Sequence, residues 1–134
     1  MKIISDDRGC EISIKKNDPN DPFSPYTVNA KLSSGCNVFY GQNDGVHFPR
    51  FDLFLEALDK FLTERGAEIT LEMTEGCRLI FYRCNQKGDV GLKMRFCKYS
   101  YSHNPMKIFE FVIEGEMKLN AEFLNEMLND FRSL

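Results

Sequence analysis

Four strand-like runs follow Gly66 with connections too short to carry the chain back across a sheet, and this constrains the fold more than any other feature. AEITLEM alternates Ile69, Leu71 and Met73 with acids and Thr, and CRLIFYRC is apolar almost throughout. DVGLKMRFCK alternates Val90, Leu92, Met94 and Phe96, and KIFEFVI closes the set. Alternation with a period of two marks a strand with one buried face. Parallel neighbours need a crossover of a dozen or more residues, whereas TEG and NQKG supply only a turn, so the spacing predicts an antiparallel meander.

The N-terminal half reads in the same way. MKII and CEISIKK flank the polar SDDRG, as in a hairpin, and YTVNAKL and CNVFYG follow, joined through SSG. Between the pairs, NDPNDPFSP is a loop, because its prolines bar regular ladder pairing; QNDGVHF, ending at Pro49, is expected to be another. Helical spacing appears in PRFDLFLEALDKFLTERG, where Phe51, Phe54, Leu55, Leu58, Phe61 and Leu62 share one face. Pro49 suits its first turn and Gly66 the position after its end, while Leu53 stands off the stripe, as it would if the buried sector were wide there. In the last segment Asn120 is placed as N-cap, Leu119 and Leu124 as a hydrophobic staple, and Leu124, Met127, Leu128 and Phe131 on one face. The expected fold is therefore α+β, a single domain over 1–134. It is an antiparallel meander with two helices, about 49–65 and 120–132, packed on one face.

With 43% hydrophobic residues and twelve Phe, the chain has ample material for a core. A net charge of −3 lacks the clustered cationic excess that grips phosphates, so nucleic acid is not an expected partner. The opening MKIISDDRGCEISIKK holds no apolar stretch of signal-peptide or membrane-helix length, so a cytoplasmic location without membrane association is expected. Five cysteines, an odd number, fit thiols better than a disulfide framework.

Three phrases, RGCEISI, SGCNVFY and EGCRLIF, repeat a Gly-Cys ahead of an apolar run. Glycine there supplies the positive φ of a hairpin turn, and the cysteine is the first ladder residue. No Cys-x-x-Cys occurs and neither His47 nor His103 lies at ligand spacing from a cysteine, so no metal or other cofactor is expected. If Glu75-Gly76 is a two-residue turn and Asn85–Asp89 a loop, Cys77 comes opposite Cys97, either as two facing thiols or as small space-filling residues. His47 and His103 both fall in expected loops, and Glu114 and Glu116 flank Gly115 at an expected turn. None of these assembles a nucleophile with its base, so no catalytic residue is expected.

The same register points Ile80, Tyr82, Leu92 and Met94 toward the core and leaves Leu79 and Phe81 beside Glu72, Lys93 and Arg95 on the outer face. A dry aromatic centre ringed by charge is the composition of a protein-binding patch. The other reading of Leu79 and Phe81 is burial beneath the N-terminal strands or the Pro-rich loop.

From Phe51 through Phe96, FDLFLEALDKFLTERGAEITLEM followed by CRLIFYRCNQKGDVGLKMRF resembles the WapI-type immunity proteins of bacterial contact-dependent toxin systems. The likeness lies in an F..L...L helix leading into short apolar strands with Gly66, Gly88 and Gly91. It implies a small cytoplasmic protein that binds and occludes a toxin domain without catalysis, and it assigns no individual residue. The expected mechanism is an acidic surface, including the Asp18–Asp21 loop, meeting a basic cleft. Two further readings stand beside it: a small-molecule binder or modest hydrolase with a pocket between sheet and helices, and a subunit that forms a homodimer through its sheet.

Overall fold

A computed structural model describes residues 1–64, 66–103 and 106–134; the side chains at 34 and 98–111 lie outside that description. The chain is α+β and antiparallel, as its pattern predicts, and its strands divide into two four-stranded sheets. The first contains β1 (Lys2–Ile4), β2 (Glu11–Lys16), β3 (Tyr26–Ser34) and β4 (Asn37–Val46) in that order. Helix α1 (Phe51–Glu64) leads to the second sheet: β5 (Glu68–Glu72), β6 (Arg78–Arg83), β7 (Val90–His103) and β8 (Met106–Lys118). Helix α2 (Ala121–Arg132) ends the chain.

Alternation decides what each strand buries. In the first sheet Ile12 pairs with Ala30 and Ile14 with Val28, and all four side chains are buried. In the second, Leu71, Leu79 and Met94 form one cross-strand row and Phe81 and Leu92 another, again buried. The two inner faces meet in a single cluster. They stack so closely that a Cβ on Gly115 of β8 would come within 2.7 Å of Leu32 Cδ1 on β3. A bridge between Ser5 and Leu119 and a hydrogen bond from Asn120 N–H to the Ile4 carbonyl (3.1 Å) tie the sheets together at one corner.

The helices complete the core beside the second sheet. Phe54 of α1 and Phe131 of α2 meet edge to face at 5.0 Å, and both approach Phe81 of β6, at 6.2 and 6.0 Å between centroids. Between the first sheet and α2 lies a hollow of about 730 Å³, lined by Lys2, Ile4, Glu11, Glu122, Phe123 and Glu126. Asn120 caps α2 by accepting the Glu122 N–H at 2.8 Å, as its position predicts. At α1 the entry differs from expectation. Pro49 lies before the helix, and Arg50, with a left-handed φ of 56°, supplies the carbonyl that accepts from Phe54 N–H. Leu53 is exposed, so the buried stripe is narrow there.

Two expected loops prove to be strand. Asn37–Val46 is continuous, taking in residues 42–46, and β7 runs on through His103. Glu114 and Glu116 accordingly lie inside β8 and not at a turn.

Candidate functional site

The outer face of the second sheet is turned away from the core, because the helices and the first sheet all stack on the other side. Its cross-strand rows are Glu68, Tyr82, Gly91, Lys118; then Thr70, Ile80, Lys93, Glu116; then Glu72, Arg78, Arg95, Glu114. Of the residues expected to form a binding patch, Glu72, Lys93 and Arg95 are on this face. Leu79 and Phe81 are not: both are fully buried in the core. Ile80 and Tyr82, expected inside, take their place at its centre and are half-buried.

The inversion comes from two turns, each one residue different from the expected length. Strands β5 and β6 close at Met73 and Cys77, whose backbones bond at 3.0 Å, with Thr74, Glu75 and Gly76 between them. Within that loop Glu75 and Gly76 both have positive φ, 62° and 75°, the signature of a type I′ turn. Strands β6 and β7 close at Cys84 and Asp89, bonded at 2.8 Å, so Asp89 belongs to the closing pair and not to the loop. Because side chains alternate with a period of two, each one-residue slip turns β6 over relative to its neighbour. β5 and β7 keep the faces expected of them, which is why Leu92 and Met94 are buried as anticipated.

The face is built to hold its shape. The Tyr82 ring lies over Gly91, where any Cβ would come within 2.4 Å of it, and its hydroxyl bonds to Glu116. Burial first, then the Glu116 carboxylate, hold the phenol above its ordinary pKa, so it stays a donor. Lys93 Nζ sits 4.9 Å from the centre of the same ring. Arg95 reaches Glu114 at 3.3 Å and the Gly76 carbonyl at 3.1 Å. Directly opposed arginines repel, yet Arg78 and Arg95 are flanked in their row by Glu72 and Glu114, which offset them. Between these groups lies a hollow of about 370 Å³ lined by Arg78, Ile80, Lys93, Arg95, Glu114 and Glu116. Acids and bases balance on the face, Glu68, Glu72, Glu114 and Glu116 against Arg78, Lys93, Arg95 and Lys118. The acidic surplus lies elsewhere, on the helices, where Asp52, Glu56, Asp59, Glu64, Glu122, Glu126 and Asp130 outnumber Lys60 and Arg132.

The Gly-Cys phrases resolve into hairpin ends, with one variation. Gly35 and Gly76 have φ of 58° and 75°, as a turn glycine should; in the first phrase it is Arg8 that takes the left-handed conformation, at 58°. Strand pairing starts after each cysteine, and Cys36 lies inside the two-residue loop between Ser34 and Asn37. Two of the three phrases bury their sulfur, each against backbone on the next strand. Cys10 accepts from Ser33 N–H at 3.4 Å, and Cys77 accepts from Cys97 N–H at 3.2 Å while donating to its carbonyl at 3.3 Å. The register sets Arg78 opposite Arg95, one residue off what facing thiols at 77 and 97 require. Burial pushes the Cys77 thiol up, which keeps it protonated and unreactive.

Among the described residues no cluster of metal-ligating side chains occurs. His47 is exposed after β4, where its backbone pairs with Thr74; the His103 side chain lies outside the described residues. The Asp18–Asp21 loop uses its carboxylates internally, Asp18 accepting from Asn20 N–H and Asp21 from Phe23 N–H, both at 2.9 Å. Among the described residues no helix is long and apolar enough to cross a membrane. No protein-family model, curated protein or solved structure matches the chain.

Proposed function

We infer that the chain is a non-enzymatic protein-binding module whose partner seats on the outer face of β5–β8. The observation that carries this reading is the hollowed outer face of the second sheet, with Ile80 and two arginines lining the hollow and a fixed Tyr82 beside it. Tyr82 is held over Gly91 before any partner arrives, so binding there loses little side-chain freedom. Tyrosine and arginine are also the residues on which interface energy concentrates.

The resemblance to WapI-type immunity proteins names the partner class, a toxin domain occluded in the bacterial cytoplasm. The charge distribution changes the mechanism first expected for it. A balanced face attracts no partner over long range, so recognition rests on shape and short-range pairing, and the association rate responds weakly to salt. Co-expression with the products of neighbouring genes, followed by affinity capture, tests the proposal. A stable complex is expected, weakened at least about tenfold by Tyr82→Ala or Ile80→Asp, the scale of an interface hot spot. Failure to recover any complex, or a complex indifferent to both substitutions, overturns it.

A further inference from the structure

We propose that β4 is a self-pairing edge, through which two copies of this chain join their first sheets into one antiparallel sheet across a two-fold axis at Phe39. This surface is separate from the partner face above.

A sheet edge presents unpaired backbone groups, and proteins guard such edges with short strands, charge or covering elements. Three of the four edges here are guarded. β1 is three residues long and is bridged to Leu119 at its end. β5 carries Glu68 and Glu72, and β8 carries Glu114, Glu116 and Lys118. β4 is ten residues long, pairs among the described residues only with β3, and holds neither lysine nor proline. Between Lys31 and Asp44 the chain has no charged residue at all. Val38, Phe39 and Tyr40, in the middle of that neutral run, are 60, 52 and 65% exposed.

The order of these residues selects a second copy as occupant. Antiparallel pairing about Phe39 sets Phe39 against its own counterpart and Val38 against Tyr40 of the other copy, twice. Residues directly opposite share a face, so the aromatic pair falls on the inner face and the two Val-Tyr pairs on the outer one. Every exposed apolar side chain of the run thus meets an apolar partner, with Asn37 against Gly41 beyond them. Two-fold symmetry doubles any charge near the axis into a repulsive pair, and the neutral run contains none. A strand from a different protein would gain the same backbone bonds, but this self-matching order gives it no advantage.

Sedimentation velocity from dilute to concentrated protein reads the equilibrium directly. The mass is expected to climb from the monomer value toward twice that value. Phe39→Lys places two like charges at the axis and should weaken association at least about tenfold. Val112→Lys, at an exposed apolar position on β8, should leave it unchanged. Because Phe39 is exposed, Phe39→Lys should keep the parent's circular dichroism and melting temperature; should it fail to fold, Val38→Lys makes the same test. Amide exchange supplies an independent readout, since protection of Asn37–Gly41 should rise with concentration. A monomeric mass at every concentration, or association unaffected by the substituted strand, overturns the proposal.

Discussion

The two sheets are built on one plan, four antiparallel strands with an aliphatic or aromatic inner face, and they differ in what lies outside. The first sheet's outer face mixes charged and neutral groups, Lys2, Ser13, Asn29 and Gln42 in one row and Glu11, Lys31 and Tyr40 in the next, while the second carries opposed charges in a single row, Glu72, Arg78, Arg95 and Glu114. Their inner faces differ too. Phe81 of the second sheet closes on Phe54 and Phe131 from the helices, whereas the first sheet contributes Ile3, Ile12, Ile14, Val28 and Ala30. The comparison separates two ways of being apolar. Phenylalanine at position 81 holds the molecule together, and phenylalanine at position 39, on an open edge, does not. Phe81→Ala should therefore cost about 3–5 kcal/mol of stability, the usual range for a buried aromatic. Phe39→Ala, measured in dilute protein, should change it by about 0.5 kcal/mol or less. Denaturant unfolding of the two variants checks this, and comparable losses would erase the distinction.

Two glycines sharpen it further, because each has a neighbour's side chain where its own would be. Gly115 is closed in between the sheets, its missing Cβ 2.7 Å from Leu32, whereas Gly91 lies under the Tyr82 ring on the open face. Leu32 is half-buried and packs against the core, so Gly115→Ala should cost about 1–3 kcal/mol, as overpacking does. Tyr82 is held over Gly91 by its bond to Glu116 but faces outward, so Gly91→Ala should displace the ring and break that bond at a smaller cost than at Gly115. A larger loss at Gly91 would mean that the outer face is not open in solution.

A smaller effect of opposite sign is expected at the β5–β6 turn. Glu75 holds a φ of 62° that side chains other than Asn, Asp and Gly rarely adopt, next to a glycine that adopts it freely. Glu75→Asn creates the Asn-Gly pair that a type I′ turn favours and should stabilise the protein by about 0.5–1 kcal/mol, visible as a raised unfolding midpoint. Loss of stability would show that Glu75 is held there by its contact with Asn43, at 3.3 Å.

That turn also shows how far the chain could be read in advance. Strand and helix identities follow from periodicity, which summed over six or more residues outweighs any single exception, so all eight strands and both helices were legible. Faces were not, because they depend on loop length to the single residue, and TEG is compatible with closure at Thr74 or at Met73. The candidate site centres on the one strand, β6, whose turns are both ambiguous, so Glu72, Lys93 and Arg95 lie on the expected face while Leu79 and Phe81 exchange faces with Ile80 and Tyr82. One signal was available: Gly91 is the residue over which an opposite aromatic can lie, and Tyr82 is the aromatic that faces it. The division into two sheets was hidden for another reason, since the intervening helix leaves the pairing of β4 with β5 open and only packing decides against it.

The smallest expected effect lies where the second sheet's charges reach its rim, at Asp89 and Lys118. Their ion pair spans 3.0 Å at the surface, where solvent screens it, so its interest is in titration and not in energy. The Asp89 carboxyl is held below the usual carboxylate range first by the Asn85 side chain and then by Lys118, and the Lys118 ammonium is pushed above its ordinary value chiefly by Asp89. The signs follow from linkage. A depressed carboxyl contributes stability that is present above its unfolded pKa, about 3.9, and is lost as pH falls through the folded value. A raised ammonium contributes stability that is present below its unfolded pKa, about 10.4, and is lost as pH climbs through the folded one. The pair is therefore fully effective across the neutral range and fails at both extremes. Following the Asp89 carboxyl carbon by nuclear magnetic resonance, Asn85→Ala should return its midpoint further toward the ordinary value than Lys118→Gln does. The reverse order would make the rim an electrostatic device, like the rows of the outer face, and not the capped turn that the Asn85–Asp89 geometry describes.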